Sequence, residues 1–346
     1  MPLRTVHPQH ALVRARVALA GASLVLLSTA TACASTPATT PSTPGQVPST
    51  SAPKPTVDAP VPVTAAFYPL AYLLEQVGGP NVKVSSLTKP GVEPHDLELT
   101  PQDLVDLPKM SVVAYLKGFQ PAVDEAVAQQ AGRAAFDVSP AARLDLAAQE
   151  EDHDHDHQES TPGSSAAPTE HHETQDPHFW LDPIRYAAVG TALAQRLAEA
   201  DPSHAADYQA RAAALTSSLS ELDRTFSAGL KSCATTKLVT GHAAFGYLAA
   251  RYNLTQVPIA GLSPDQEPSA KKLAEVAATV KAAGVTTIFT ETLVDPKFAQ
   301  TVAKETGASL AVLDPVEGIT DQSAGKDYHS VMLANLAALR TGLGCP

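Results

Sequence analysis

Three histidines stand in loops whose neighbours restrict the backbone: His95 in Gly91-Val-Glu-Pro-His-Asp96, His178 in Asp176-Pro-His-Phe-Trp-Leu-Asp-Pro183, and His242 in Thr240-Gly-His-Ala-Ala-Phe245. Pro94 and Pro177 fix φ just ahead of their histidines and supply no N–H, whereas Gly241 frees the backbone before His242. A neutral imidazole offers one lone pair to a cation while its other nitrogen is oriented by a carboxylate, for which Asp96 and Asp182 are near in sequence. The spacings of 83 and 64 residues form no local zinc signature, so a shared site requires the fold to bring the three together. Asp314 in Leu313-Asp-Pro315, Glu291 in Phe289-Thr-Glu-Thr and Glu93 are open as a fourth ligand. A lone loop histidine is ordinarily a surface residue, and a turn aspartate ordinarily a cap; three histidines framed alike by helix and strand breakers make the stronger case for a metal. Three histidines with an open position also describe catalytic zinc, but no HExxH helix or other base motif accompanies them.

The elements that must position these loops follow from periodicity. Val61–Phe67 reads as a strand, Pro69–Val77 as a helix stopped by Gly78-Gly79, and Val82–Leu87 as a second strand. Helix Pro101–Leu107, strand Ser111–Tyr115, helix Pro121–Ala131 and strand Ala134–Val138 continue the alternation. Helix Pro183–Ala200 precedes a cap at Asp201-Pro202 and a second helix, Ser203–Leu230, roughly 40 Å long at 1.5 Å per residue. The alternation then restarts: strand Lys237–Thr240, helix Ala243–Tyr252, strand Leu254–Ile259, helix Ser269–Ala283, strand Thr286–Thr290, helix Pro296–Thr306, strand Ser309–Leu313 and a last helix, Tyr328–Gly342. The pattern predicts an α/β protein of two βα lobes with central, mainly parallel sheets flanking a long helix, with ligands bound beyond the strands' carboxyl ends. No internal repeat stands out. The boundaries are 61–182 for the first lobe, 183–230 for the linking helices and 231–346 for the second lobe.

Residues 144–184 hold no Lys or Arg, and an acidic insertion over 148–176 carries His153, His155, His157, His171 and His172. Alternating His and Asp cannot pack a core, so the segment reads as a solvated loop whose histidines either capture a cation weakly or are incidental.

The chain opens with Arg4, Arg14 and Arg16, an apolar run Val17–Leu27 and small residues before Cys33. Residues 1–33 therefore read as an export signal ending in a lipoprotein-type cleavage site, with lipid on Cys33. Residues 34–60, rich in Ser, Thr, Pro and Ala, read as a disordered tether. Cys233 and Cys345 then remain as one pair in an oxidising compartment and are expected to form a disulfide. The 346 residues carry 24 Lys plus Arg against 36 Asp plus Glu, a net charge of −12 that becomes −15 without residues 1–32. That balance argues against nucleic acid and for cationic partners, and with 5% aromatics and one tryptophan, Trp180, there is no base-stacking platform.

In this order and spacing, Pro94-His95-Asp96, the His-rich insertion, Asp176–Pro183, Thr240-Gly-His-Ala-Ala-Phe-Gly-Tyr247 and Phe289-Thr-Glu291 resemble the metal-binding solute-binding proteins of bacterial ABC importers, zinc branch. The resemblance covers residue 61 to the C-terminus. It implies two lobes joined by a rigid long helix, with Zn²⁺ held in the interlobe cleft by His95 and His178 from the first lobe and His242 from the second. Asp314 matches the family's second-lobe aspartate, with Glu291 as the alternative ligand. Manganese members carry a carboxylate where His242 stands, and three imidazoles suit Zn²⁺ better than Mn²⁺. The implied role is a zinc-binding lipoprotein on the outer face of the cell membrane, a monomer and not an enzyme, serving a membrane permease driven by a cytoplasmic ATPase. A manganese carrier, a metal-linked adhesin or zinc buffer, and an exported zinc enzyme are the alternatives.

Overall fold

The computed structural model describes residues 59–148 and 175–346. The export signal with Cys33, almost all of the tether, and His153, His155, His157, His171 and His172 lie outside the described residues.

Strands β1 (Val61–Ala65), β2 (Val82–Ser86), β3 (Val112–Tyr115) and β4 (Ala135–Asp137) form one all-parallel sheet in the order β2-β1-β3-β4. A second all-parallel sheet, of β5 (Lys237–Thr240), β6 (Thr255–Pro258), β7 (Thr287–Thr290) and β8 (Ser309–Val312), has the order β6-β5-β7-β8. The two lobes thus repeat one topology, which no sequence repeat announces, because a buried strand needs only an apolar β-former at each position and not a particular residue.

The first lobe holds α1 (Tyr68–Gly78), α2 (Pro101–Asp106), α3 (Pro121–Ala126) and α4 (Ser139–Ala142). Helix α1 buries Leu70, Leu73, Leu74 and Val77, one face at helical spacing, and stops at Gly79, whose φ is 55°. The predicted helix Pro121–Ala131 is α only as far as Ala126; a π turn, Val127–Ala131, carries it to Gly132. Linking helix α5 (Pro183–Ala200) starts where predicted because the Asp182 carboxylate accepts from Ile184 N and Arg185 N, and Pro183 presets the first turn. Its partner α6 (Ala205–Gly229) is preceded by a 3₁₀ turn, Pro202–His204. Its buried stripe of Tyr208, Ala212, Leu215, Leu219, Leu222 and Phe226 lies against α5 and α1 of the first lobe and reaches the second lobe at Phe226, whose ring stacks on Tyr252. Twenty-five residues make a rod about 38 Å long.

The second lobe adds α7 (Gly246–Arg251), α8 (Ala270–Ala282), α9 (Lys297–Thr306) and α10 (Tyr328–Gly342). Helix α7 is shorter than predicted because residues 242–245 stay in the loop that carries His242. Cys233 and Cys345 form a disulfide that ties the entry to β5 to the chain's end. One apolar core runs from Val63 and Leu70 through Trp180 to Phe245, Leu313 and Tyr328, so the lobes share it. A smaller core of Val239, Ile259, Val276, Ile288 and Val302 belongs to the second lobe alone. Polar bonds pin the shared core: Trp180 Nε1 donates to Pro315 O at 2.8 Å, and Tyr328 Oη donates to Trp180 O at 2.6 Å.

Candidate metal centre

Each histidine is held by its loop before any cation is considered. In the segment after β2, Gln120 Nε2 donates to Pro94 O at 2.9 Å, and the Glu93 carboxylate accepts from His95 N at 2.9 Å. His178 belongs to a turn closed by Asp176, whose Oδ1 takes both His178 N at 2.9 Å and His178 Nδ1 at 2.8 Å. His242 follows β5 directly; its carbonyl accepts from Thr240 Oγ1 and Gln256 Nε2, and its N–H donates to Glu291 Oε1 at 3.0 Å. Glu291 Oε2 lies 2.6 Å from His242 Nδ1.

The remaining ring nitrogens face one point. His95 Nε2 and His178 Nε2 are 3.3 Å apart, and Glu317 Oε1 lies 3.4, 3.2 and 3.7 Å from Nε2 of His95, His178 and His242. These four side chains offer ligand atoms within 4.8 Å of one another, and only His95 reaches the surface, at 9% side-chain exposure. Phe119 and Trp180 wall the cluster, with ring centroids 4.7 Å from His95 and 5.1 Å from His178.

Sequence reasoning did not single out Glu317. Asp314, expected in the fourth position, is not among the converging groups: its Oδ1 accepts from Val316 N at 2.8 Å and its Oδ2 from Thr292 Oγ1 at 3.2 Å. Asn335 brackets the same residue, accepting from Asp314 N and donating to Asp314 O. Asp314 thereby shapes the turn through Val316, a β-branched residue at φ 60°, and that left-handed step delivers Glu317 to the cluster. A signal existed in Pro315-Val-Glu317-Gly318, where a carboxylate is framed by breakers as the histidines are. Glu291 stands behind His242 on its outer nitrogen. The carboxylates that orient the rings are Asp176 and Glu291; Asp182 caps α5 and pairs with Arg251 at 3.3 Å, while Asp96 is exposed.

Charge in the cluster is arranged around Glu317. Burial opposes its ionisation, yet the facing rings of His178, His242 and His95 hold its carboxyl well below the ordinary range. Burial lowers the basicity of His242, but the Glu291 and Glu317 carboxylates outweigh it and push its pKa up to about 10. His178 is likewise raised, by Asp176 and Glu317 against burial. Burial prevails at His95, whose pKa is lowered despite Glu317. His242 Nδ1 and Glu291 Oε2 meet as an ion pair without hydrogen-bond geometry, and two further buried atoms, His242 Nε2 and Glu317 Oε2, have no hydrogen-bond partner. A divalent cation among the four groups satisfies both, and three imidazoles plus one carboxylate make the donor set of a tetrahedral zinc site.

Two parallel α/β lobes closed on a buried three-histidine, one-carboxylate cluster, with a long helix running behind them, define a solute-binding protein of the metal-binding type. A family model described as "ZnuA: Zinc-uptake complex component A periplasmic" matches residues 63–342, and the chain belongs to that family. It is 34% identical over 279 residues to the zinc-binding protein AdcA of Streptococcus pyogenes, covering 79% of this chain and 54% of AdcA. To the high-affinity zinc uptake system protein ZnuA of Bacillus subtilis it is 34% identical over 284 residues, covering 80% of this chain and 86% of ZnuA. The chain spans about half the length of the streptococcal AdcA proteins it matches. Among solved structures, a Zn(II)-bound mutant variant of AdcAII of Streptococcus pneumoniae superposes with a TM-score of 0.69 at 26% identity, covering 82% of this chain and 99% of AdcAII. A crystal structure of ZnuA gives 0.68 at 29% identity, again covering 82% and 99%.

Proposed function

We propose that this protein captures Zn²⁺ outside the cytoplasm and passes it to the permease of an ABC importer driven by a cytoplasmic ATPase. The observation that carries the reading is the convergence of His95, His178 and His242 Nε2 on Glu317 at the lobe interface, with carboxylates behind two of the rings. These four residues are the proposed ligands. The dominance of imidazole nitrogen favours Zn²⁺ over Mn²⁺, and the zinc-binding relatives support it. The role involves no catalytic step. The protein acts as a monomer, held by lipid on Cys33 to the outer face of the membrane through the 34–60 tether, or free in the periplasm where the lipid is absent. His153, His155, His157, His171 and His172 capture zinc weakly and raise its concentration near the site.

Chelator competition and metal analysis of the full chain test this beside a variant with His95, His178 and His242 all changed to Ala. One tight zinc, lost in the variant, is expected. Tight zinc that survives the triple substitution overturns the ligand set, and failure of a deletion strain to need added zinc under chelation overturns the import role.

A further inference from the structure

The loop that delivers His242 begins and ends with glycines that do not serve backbone conformation. Neither Gly241 nor Gly246 has a positive φ, and Gly246 is the first residue of α7, where an alanine would fit the backbone equally well. What each glycine leaves is room. A Cβ on Gly241 would sit 2.6 Å from Glu291 Oε1, and a Cβ on Gly246 would sit 2.4 Å from Asp176 Oδ2. Both obstructed atoms are carboxylate oxygens at the ends of side chains, and both carboxylates hold a histidine of the cluster through its Nδ1 face.

We propose that Gly241 and Gly246 are positioning residues for zinc: this one second-lobe loop seats the two carboxylates that orient His242 and His178, and Gly246 does so across the lobe interface. The proposal rests on the zinc-binding reading above and extends it to residues that touch no metal. Asp176 is a first-lobe residue, so the second-lobe backbone packed over its carboxylate must lack a Cβ there if Asp176 is to keep its hold on His178. A side chain at 246 does not force the fold apart. It forces Asp176 to turn, and a cleft of about 260 Å³ lined by Leu146, Asp176, Ala243 and Gly246 gives that carboxylate water to turn towards. The space beside Glu291 and Gly241 is only about 30 Å³, so the same substitution at 241 disturbs the fold more.

The test is a double-mutant cycle on the full chain with Gly246→Ala, Asp176→Ala and both, reading zinc affinity by chelator competition. The outer partners of metal-bound histidines are worth about 10- to 100-fold in affinity, so Gly246→Ala is expected to weaken zinc by that factor alone and by less than about twofold in the Asp176→Ala background. Additive losses overturn the proposal. A second readout needs no zinc: the hydrogen-bonded Nδ1–H proton resonance of His178 in the metal-free chain, assigned with His178→Gln, is expected to vanish in Gly246→Ala. Its persistence unchanged overturns the proposal even if the wild type proves to bind no zinc, an outcome that would sink only the functional reading. Should Gly246→Ala fail to fold, the double variant, which removes the obstruction, is expected to fold and to bind zinc as Asp176→Ala does; a double variant equally unfolded overturns the proposal.

Discussion

The two lobes share one strand order but serve the site differently. The first lobe presents His178 by a local device, Asp176 two residues earlier holding both its N–H and its ring. The second lobe presents His242 by a distant one, Glu291 lying 49 residues further on at the end of another strand. It also supplies Glu317 and the covalent closure between Cys233 and Cys345. The contrast teaches that the first lobe holds His178 within its own turn, whereas His242 and Glu317 of the second lobe meet only once its sheet is assembled.

The covalent difference gives the largest expected effect. Closing a loop across a sequence separation of 112 residues is worth about 4–5 kcal/mol in the chain-entropy model. Cys233→Ser with Cys345→Ser should lower stability by about that amount in urea unfolding, and protection against hydrogen exchange should fall first in β5–β8. Uniform loss over both lobes would break the distinction. Next is the carboxylate. Zinc sites hold their metal with about 10–16 kcal/mol shared by four ligands, so Glu317→Gln should cost roughly 3 kcal/mol, about 100-fold in zinc affinity. Asp314→Asn should cost less, and the reverse ranking by chelator competition would return Asp314 to the fourth position.

The pin between lobes comes third. Trp180→Phe removes the donor to Pro315 O and leaves that carbonyl buried, a loss of about 2 kcal/mol. A lower urea midpoint with an unchanged slope is expected; two separate transitions would show that the lobes do not share a core. The smallest effect per step is protonic. His242, with its pKa near 10, and His178, also raised, hold protons in the metal-free protein that zinc must displace, whereas His95 does not. A raised pKa therefore weakens binding as pH falls: between about pH 9 and about pH 6, affinity should drop about tenfold per unit for the proton displaced from His242, and more steeply where His178 is protonated too. Flat binding over that range would mean the rings are neutral before metal arrives.

The order of elements was legible because apolar periodicity and breakers are local signals. Helices α5 and α10 and strand β5 begin and end where the sequence places them, since Asp182-Pro183, Asp327 and the approach to Gly241 act on their nearest neighbours. The start of α7 was misplaced because Ala243 and Ala244 are good helix formers held out of the helix to serve His242. His95, His178 and His242 were legible one by one from the breakers around them. Glu317 had only the breakers Pro315 and Gly318 to mark it, because its left-handed approach at Val316 depends on Asp314, which Asn335 holds from 21 residues away.

By itself, then, the sequence determined three histidines framed by breakers, the alternation that makes two parallel sheets, and the acidic balance of the chain; all of these are properties of neighbours along the chain. Tertiary structure alone decided which carboxylate joins the three rings, which acids orient them, and that two glycines of one lobe make room for those acids. Each of these depends on distances of about 3 Å between segments far apart in sequence, and such distances exist only after the shared core has closed.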